Sequence, residues 1–226
     1  MLSRLAGHPE GPAAEPTGGR GGTSRVRVDR AIGGRYHAVM HDYTTGAITI
    51  RRARVGDVRG IKALVDAYAG KVLLAKELVT LYEHVQEFWV AELAAAPGDG
   101  QAASADGAHL VGCGALHVLW EDLGEIRTVA VDPAARGRGV GHAVVARLLE
   151  LARELGLARV FVLTFETAFF GRHGFRPIEG TPVGPEVYAE MRRSADEGVA
   201  EFLDLPYVKP NTLGNTRMLL QLDEQG

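Results

Sequence analysis

Residues 129–155, VAVDPAARGRGVGHAVVARLLELAREL, restrict the possible folds more than any other stretch of the chain. Val129, Ala130 and Val131 read as the end of a strand, and Pro133 lacks the N–H needed to continue a ladder. The loop Arg136-Gly137-Arg138-Gly139-Val140-Gly141 then alternates glycine with other residues. Glycine lets backbone come close to a ligand without a Cβ in the way. Beyond Val140, apolar side chains recur at Val144, Leu148, Leu151 and Leu155, the three-and-four spacing of a helix with one buried face. Gly156 supplies a C-terminal stop. A helix start with free N–H groups, the positive end of a dipole and flanking arginines suits an anion, a pyrophosphate in particular.

Other phosphate-binding designs fit less well. A nucleotide P-loop ends in Gly-Lys-Ser/Thr, and Gly141-His142-Ala143 does not. A dinucleotide fold carries its glycine loop at the first strand, whereas this loop lies past mid-chain. With 226 residues and 46% hydrophobic content the chain has enough core for one well-buried domain plus extensions. A net charge of −3 gives no global field for nucleic acid. The single cysteine, Cys113, excludes an internal disulfide and fits a reducing compartment. No apolar run approaches the roughly 20 residues of a membrane span, and no secretory leader is convincing. A cytoplasmic protein with neither nucleic-acid nor membrane partners is expected.

Composition and periodicity divide the chain. Residues 1–45, rich in Gly, Pro, Ala and Glu, read as a disordered tail. Order is expected from an alternating strand at 47–53. A helix comes next, capped by Asp57 and closed by Gly70, with Val58, Ile61, Leu64, Val65 and Tyr68 as its apolar positions. A second helix is expected at 76–85 and a strand at 87–91. The turn-rich segment 97–107 reads as a hairpin tip, with strands after it at 109–119 and 124–131. After the glycine-loop helix come a buried strand at 158–164, a short helix at 166–172 and a strand start at Gly174-Phe175. An extension over 178–210 with one helix at 185–197 precedes a last strand at 216–222.

The Arg-x-x-Gly-x-Gly spacing after a strand and Asp132-Pro133 resembles the acetyl-CoA loop of the GCN5-related N-acetyltransferases (GNAT), and the element order is that of the superfamily. The resemblance implies an α/β (α+β) fold over 46–226: a mixed central sheet with helices on both faces and a splayed central strand pair that binds acetyl-CoA. Several stretches look like the acetyltransferase module of N-acetylglutamate synthases, in the stand-alone actinobacterial form. They are 70–74 (GKVLL), 111–116 (VGCGAL), 124–131 (GEIRTVAV), 161–164 (FVLT) and 213–219 (LGNTRML). Such enzymes move acetyl from acetyl-CoA to the α-amine of L-glutamate in arginine biosynthesis.

That likeness implies roles for particular residues. Val129 and Val131 would meet the thioester and pantetheine through backbone, and Arg136, Gly137, Arg138, Gly139, Val140 and Gly141 the pyrophosphate. Glu125 is the implied base, with His117 as its rival because an imidazole titrates near neutral pH. Thr164 stands where the family places a serine that protonates the thiolate, since Phe169 and Phe170 leave no phenol there. Lys76 matches a carboxylate-binding arginine and Thr216 a serine, with Thr128, Asn215 and Arg217 beside them. A family arginine two residues before Thr216 is Gly214 here, so Lys209, Arg217 or Arg127 would have to compensate, and glutamine would compete as substrate. The 178–210 extension is expected to be a lid, with Tyr188 and Tyr207 lining it, or a dimer contact. Met191 and Leu203 are expected in the core and Cys113 in inert burial. A homodimer is expected, and no metal. Two other readings stay open: acetyl transfer to another amine, such as L-glutamine or a protein N-terminus, and a non-catalytic acetyl-CoA-binding module. A pure binder has no use for the base and acid at Glu125 and Thr164.

Overall fold

The computed structural model describes residues 43–45, 48–68, 76–94, 108–205 and 214–222. Gly70, the 97–107 tip, Tyr207, Lys209 and the tail up to residue 42 lie outside them. The strands are β1 (Tyr43–Thr45), β2 (Ile48–Arg52), β3 (Phe88–Ala94), β4 (Ala108–Trp120), β5 (Leu123–Val131), β6 (Arg159–Thr164), β7 (Arg176–Pro177) and β8 (Thr216–Gln221). The helices are α1 (Val58–Asp66), α2 (Leu78–Glu83), α3 (Val140–Glu154), α4 (Thr167–Gly171), α5 (Pro185–Met191) and α6 (Glu197–Phe202). One mixed sheet runs β1-β2-β3-β4-β5-β6-β8-β7. Every neighbouring pair is antiparallel except β5 and β6.

That parallel pair holds the site. β5 and β6 pair only at Leu123↔Arg159, Gly124↔Val160 and Glu125↔Phe161. Beyond Glu125 the strands part, although β5 continues to Val131 and β6 to Thr164. On its other edge β5 slips in register against β4 between Cys113↔Ala130 and Ala115↔Arg127. Thr128 sits in this bulge at φ 58°, an uncommon conformation for a β-branched residue and a strained one. The extra residue bends β5 and re-aims the strand from Val129 onward.

Alternation along the strands builds two faces. Trp89, Ala91, Leu116, Ile126, Val160 and Val162 pack with α3. Phe88, Val90, Cys113, Ala115 and Ala130 pack with α1 on the other side. Phe161 and Leu219 join Met191, Phe202 and Leu203 in a third cluster that seats the extension. The α3 face is tight because β4 carries glycines there. A Cβ at Gly112 would stand 2.7 Å from Val140 Cγ1, and one at Gly114 would stand 2.8 Å from Val144 Cγ1.

Four sequence expectations need correction. Asp57 stands at the start of α1, but its carboxylate makes no cap bond to that helix. It accepts instead from Arg54 N–H (2.6 Å) and from Arg51 (2.7 and 2.9 Å), because a buried guanidinium is the stronger partner. Glu87 closes a 3₁₀ turn (Val85–Glu87) and does not begin the strand. The helix expected at 185–197 is two, since the Asp196 side chain accepts from Val199 N–H (3.1 Å) and caps a new start. Tyr43–Thr45, assigned by composition to the tail, pairs with β2.

Gly114→Ala is expected to destabilise the fold by about 1–3 kcal/mol through overpacking against α3, read from chemical denaturation midpoints. An unchanged midpoint would show that α3 can move away from β4.

Candidate active site

Glu125 is the last β5 residue paired with β6, so it stands at the vertex of the opened strands. Its side chain is buried, and among the described residues its Oε2 has no hydrogen-bond partner. Burial lifts its carboxyl to about 7; Arg127 only partly opposes this, and the carboxylates of Glu201 and Asp196 add to it. A carboxyl whose pKa lies near neutral pH, with an unbonded oxygen, is suited to take a proton from an amine.

Directly across the β4–β5 ladder is His117. Its Nδ1 lies 2.8 Å from Glu87 Oε1, which His84 Nδ1 also meets at 2.9 Å. Glu87 Oε2 accepts from Arg127 Nη2 at 2.9 Å, and Arg127 Nη1 donates to both Asp196 oxygens at 3.0 and 3.1 Å. Burial would raise Glu87, but its bonds from His117 and His84 and the charge of Arg127 outweigh that and hold it at about 2. Asp196 is likewise lowered against its burial, by Arg127. Sequence reasoning missed Glu87 and Asp196. The His84/Glu87 spacing hints at a local contact, but nothing local ties Asp196 to Arg127. Both imidazoles converge on one carboxylate oxygen, and the three ligand atoms lie within 4.8 Å of one another. That spacing would also admit a divalent cation, although the hydrogen bonds satisfy the group without one.

Thr164 ends β6 on the far arm of the opening. Three residues past the last paired position place it about 10 Å from the vertex. It is buried, and its Oγ1 accepts from Glu166 N–H at 2.9 Å, which leaves the hydroxyl proton to donate elsewhere. Thr216 pairs with it across β6–β8, and Asn215 precedes Thr216. Lys76 is partly buried just ahead of α2. Arg217 is committed elsewhere: it donates to the carbonyls of Glu201 (3.1 Å), Gly180 (3.1 Å) and Phe202. Burial pushes its guanidinium down in pKa. It therefore fastens the extension and is not a free substrate group. Tyr188, Met191 and Leu203 belong to the core under that extension. Cys113 is fully buried, with burial raising its thiol to about 12, in keeping with an inert role.

The glycine loop fits a diphosphate on backbone grounds. Gly137 (φ 76°) and Gly139 (φ 82°) are left-handed, and a Cβ on either would meet only open space. Gly139 is the N-cap of α3, a helix of 15 residues, and has no side chain to occupy the N–H groups of the first turn. Val140 is buried and Gly141 lies against the Phe169 ring, which orients the turn. Arg136 stacks its guanidinium 5.3 Å from the Tyr68 ring centre, and Arg138 is exposed on the loop. Val129 and Val131 lie past the bulge on the free arm of β5, and Val131 O accepts from Tyr68 O–H at 2.5 Å.

A strand pair opened over a glycine-rich helix start, with a buried acid at its vertex, defines an acyl-CoA transferase fold, and the chain belongs to the acetyltransferase (GNAT) family. The family matches it over residues 73–175. The chain is 68% identical over 173 residues to the amino-acid acetyltransferase of Mycobacterium tuberculosis, covering 76% of this chain and 94% of that protein. It is 33% identical over 132 residues to the amino-acid acetyltransferase of Neisseria meningitidis, but this spans 57% of the chain and only 27% of that longer protein. A crystal structure of an M. tuberculosis protein in complex with CoA superposes with a TM-score of 0.68 at 67% identity, covering 77% of this chain and 99% of that one. N-acetylglutamate synthase from Neisseria gonorrhoeae, solved with coenzyme A and N-acetyl-glutamate, shares the fold at a TM-score of 0.58 and 24% identity, covering 80% and 36%.

Buried Glu125 and partly buried Glu87 should titrate against stability with opposite signs. Glu87 is held below its ordinary 4.5, at about 2, so it stabilises above pH 4.5 and loses this as pH falls towards 2. Glu125 is raised from 4.5 to about 7, so its burial stabilises least once pH exceeds 7. Glu87→Gln should cost on the order of 1–3 kcal/mol at pH 7 and little at low pH. Glu125→Gln should instead gain stability over the wild type between about pH 4.5 and 7, by a similar amount. Denaturant titrations across that range check both, and parallel curves for the two variants would contradict the assignment.

Proposed function

We propose that this chain transfers acetyl from acetyl-CoA to the α-amine of an amino acid, L-glutamate first, as an N-acetylglutamate synthase. The observation that carries the reading is Glu125, a buried carboxyl where β5 and β6 part, whose Oε2 is unbonded among the described residues. Acetyl-CoA, when bound, supplies the acyl thioester. The loop 136–141 and the first turn of α3 would hold its diphosphate, and the free arm of β5 at Val129 and Val131 its acyl end. Glu125 takes the proton that the amine must lose, directly or through one water. Thr164, on the opposite arm, donates its hydroxyl proton to the departing sulfur. His117 works through Glu87, which fixes its ring beside the base. Lys76, Thr128, Asn215 and Thr216 are assigned to the acceptor. The family likeness also supports a place in arginine biosynthesis.

Glutamine is a second acceptor that one observation favours. Arg217 is bonded to carbonyls, so a neutral side-chain amide meets less unpaired demand than a second carboxylate. Thiol release from acetyl-CoA over a panel of amino acids separates the two.

Glu125→Gln should lower kcat by roughly 10²–10⁴-fold with CoA binding unchanged. It should also remove the acidic limb of the pH–rate profile expected near 7 from the raised carboxyl. An unaltered profile would take Glu125 out of the mechanism. Lys76→Ala should raise KM for the amino acid more than for acetyl-CoA, and equal effects would contradict its role.

A further inference from the structure

Arg127, Asp196 and Gly198 form one device over Glu125. α6 starts directly after Asp196, whose carboxylate caps it through Val199 N–H and also accepts from Arg127 Nη1 with both oxygens. Two residues on, Gly198 passes so close to the base that a Cβ there would stand 2.5 Å from Glu125 Oε2 and 3.2 Å from Arg127 Nη1. The far end of α6 is fastened by Arg217, which donates to the carbonyls of Glu201 and Phe202. Glu125 Oε2, unpartnered among the described residues, is therefore roofed by the first turn of α6. An acceptor amine reaches it from this side only when that turn moves. Arg127 is already oriented on its other arm by Glu87, so Asp196 occupies a carboxylate position on a pre-set guanidinium.

We propose that Asp196 holds on Arg127 the place that a carboxylate of the amino-acid acceptor takes, and that exchanging one for the other frees the start of α6 from above Glu125. The exchange leaves the charge count around Arg127 unchanged, because one carboxylate replaces another, while Asp196 moves to water with its helix. An amine lacking a carboxylate cannot perform it, which makes Arg127 and Asp196 specificity-determining residues for amino acids over simple amines. The inference rests on the amino-acid reading above, and its test does not need turnover.

Glutarate, with two carboxylates and no amine, is the probe. In the wild-type protein it should speed amide hydrogen exchange in α6, and in Arg127→Gln it should not. Asp196→Asn keeps a helix-capping side chain but loses the charge. This variant should exchange fast without glutarate and show a lower KM for the amino acid with the acetyl-CoA KM unchanged. Arg127→Lys keeps the charge but not the fork, and should raise the amino-acid KM roughly tenfold without moving that for acetyl-CoA. Unchanged or slowed exchange of the wild-type α6 with glutarate overturns the inference, as does a raised amino-acid KM in Asp196→Asn. If no amino acid is acetylated, the proposed function fails, while the exchange experiment still decides the carboxylate exchange.

Discussion

The arrangement depends on keeping one carboxyl out of water. Glu125 could have been an exposed strand-end acid of ordinary pKa, but β4, β6 and the first turn of α6 close around it. Removing a carboxylate from water without a bonded partner penalises the charged form. Arg127 does not cancel the penalty, because it stands 4.0 Å away and is shared with Glu87 and Asp196. The same ion-pair set therefore does two opposite things. It holds Glu87 and Asp196 ionised and leaves Glu125 near neutrality.

The opening in the sheet supplies the rest. Three paired positions between β5 and β6 give way to a bulge at Thr128 that turns β5 away. Backbone on both arms is left unpaired between β5 and β6 beyond Glu125, while the core packs against α3 on one face and the extension on the other. The glycines of β4 draw α3 against the sheet, and this fixes where its N-terminus, and so the diphosphate cradle, lies relative to the vertex. Packing in the core thus sets the distance between the anion site and the base.

How much of the molecule is legible in the chain depends on how local each signal is. The loop 136–141 and α3 were legible because left-handed glycines and helical periodicity are written in consecutive residues. The continuous apolar run of β6 was legible for the same reason. The 185–197 segment misled because its composition stays helical throughout, while the break is marked by side-chain bonds: Asp196 N–H donates to Ser194 Oγ, and the Asp196 carboxylate accepts from Val199 N–H. Asp57 misled because Arg51, six residues earlier near the end of β2, outcompetes the local cap. Within the site, Glu125 and Thr164 came from family likeness, whereas the roles of Glu87, Arg127 and Asp196 arise from contacts 40 to 69 residues apart. Arg217, a candidate for substrate, proved to fasten α6 because its carbonyl partners lie in the extension.

The central claim is that burial at the strand opening tunes one carboxyl to neutrality. Carbon-13 NMR of glutamate side-chain carboxyls, with the Glu125 signal assigned by difference against Glu125→Gln, measures this directly. The account predicts an inflection near 7, well above the ordinary 4.5. An inflection at or below 4.5 would mean that water or Arg127 already satisfies the carboxylate, and the base would have to be sought elsewhere.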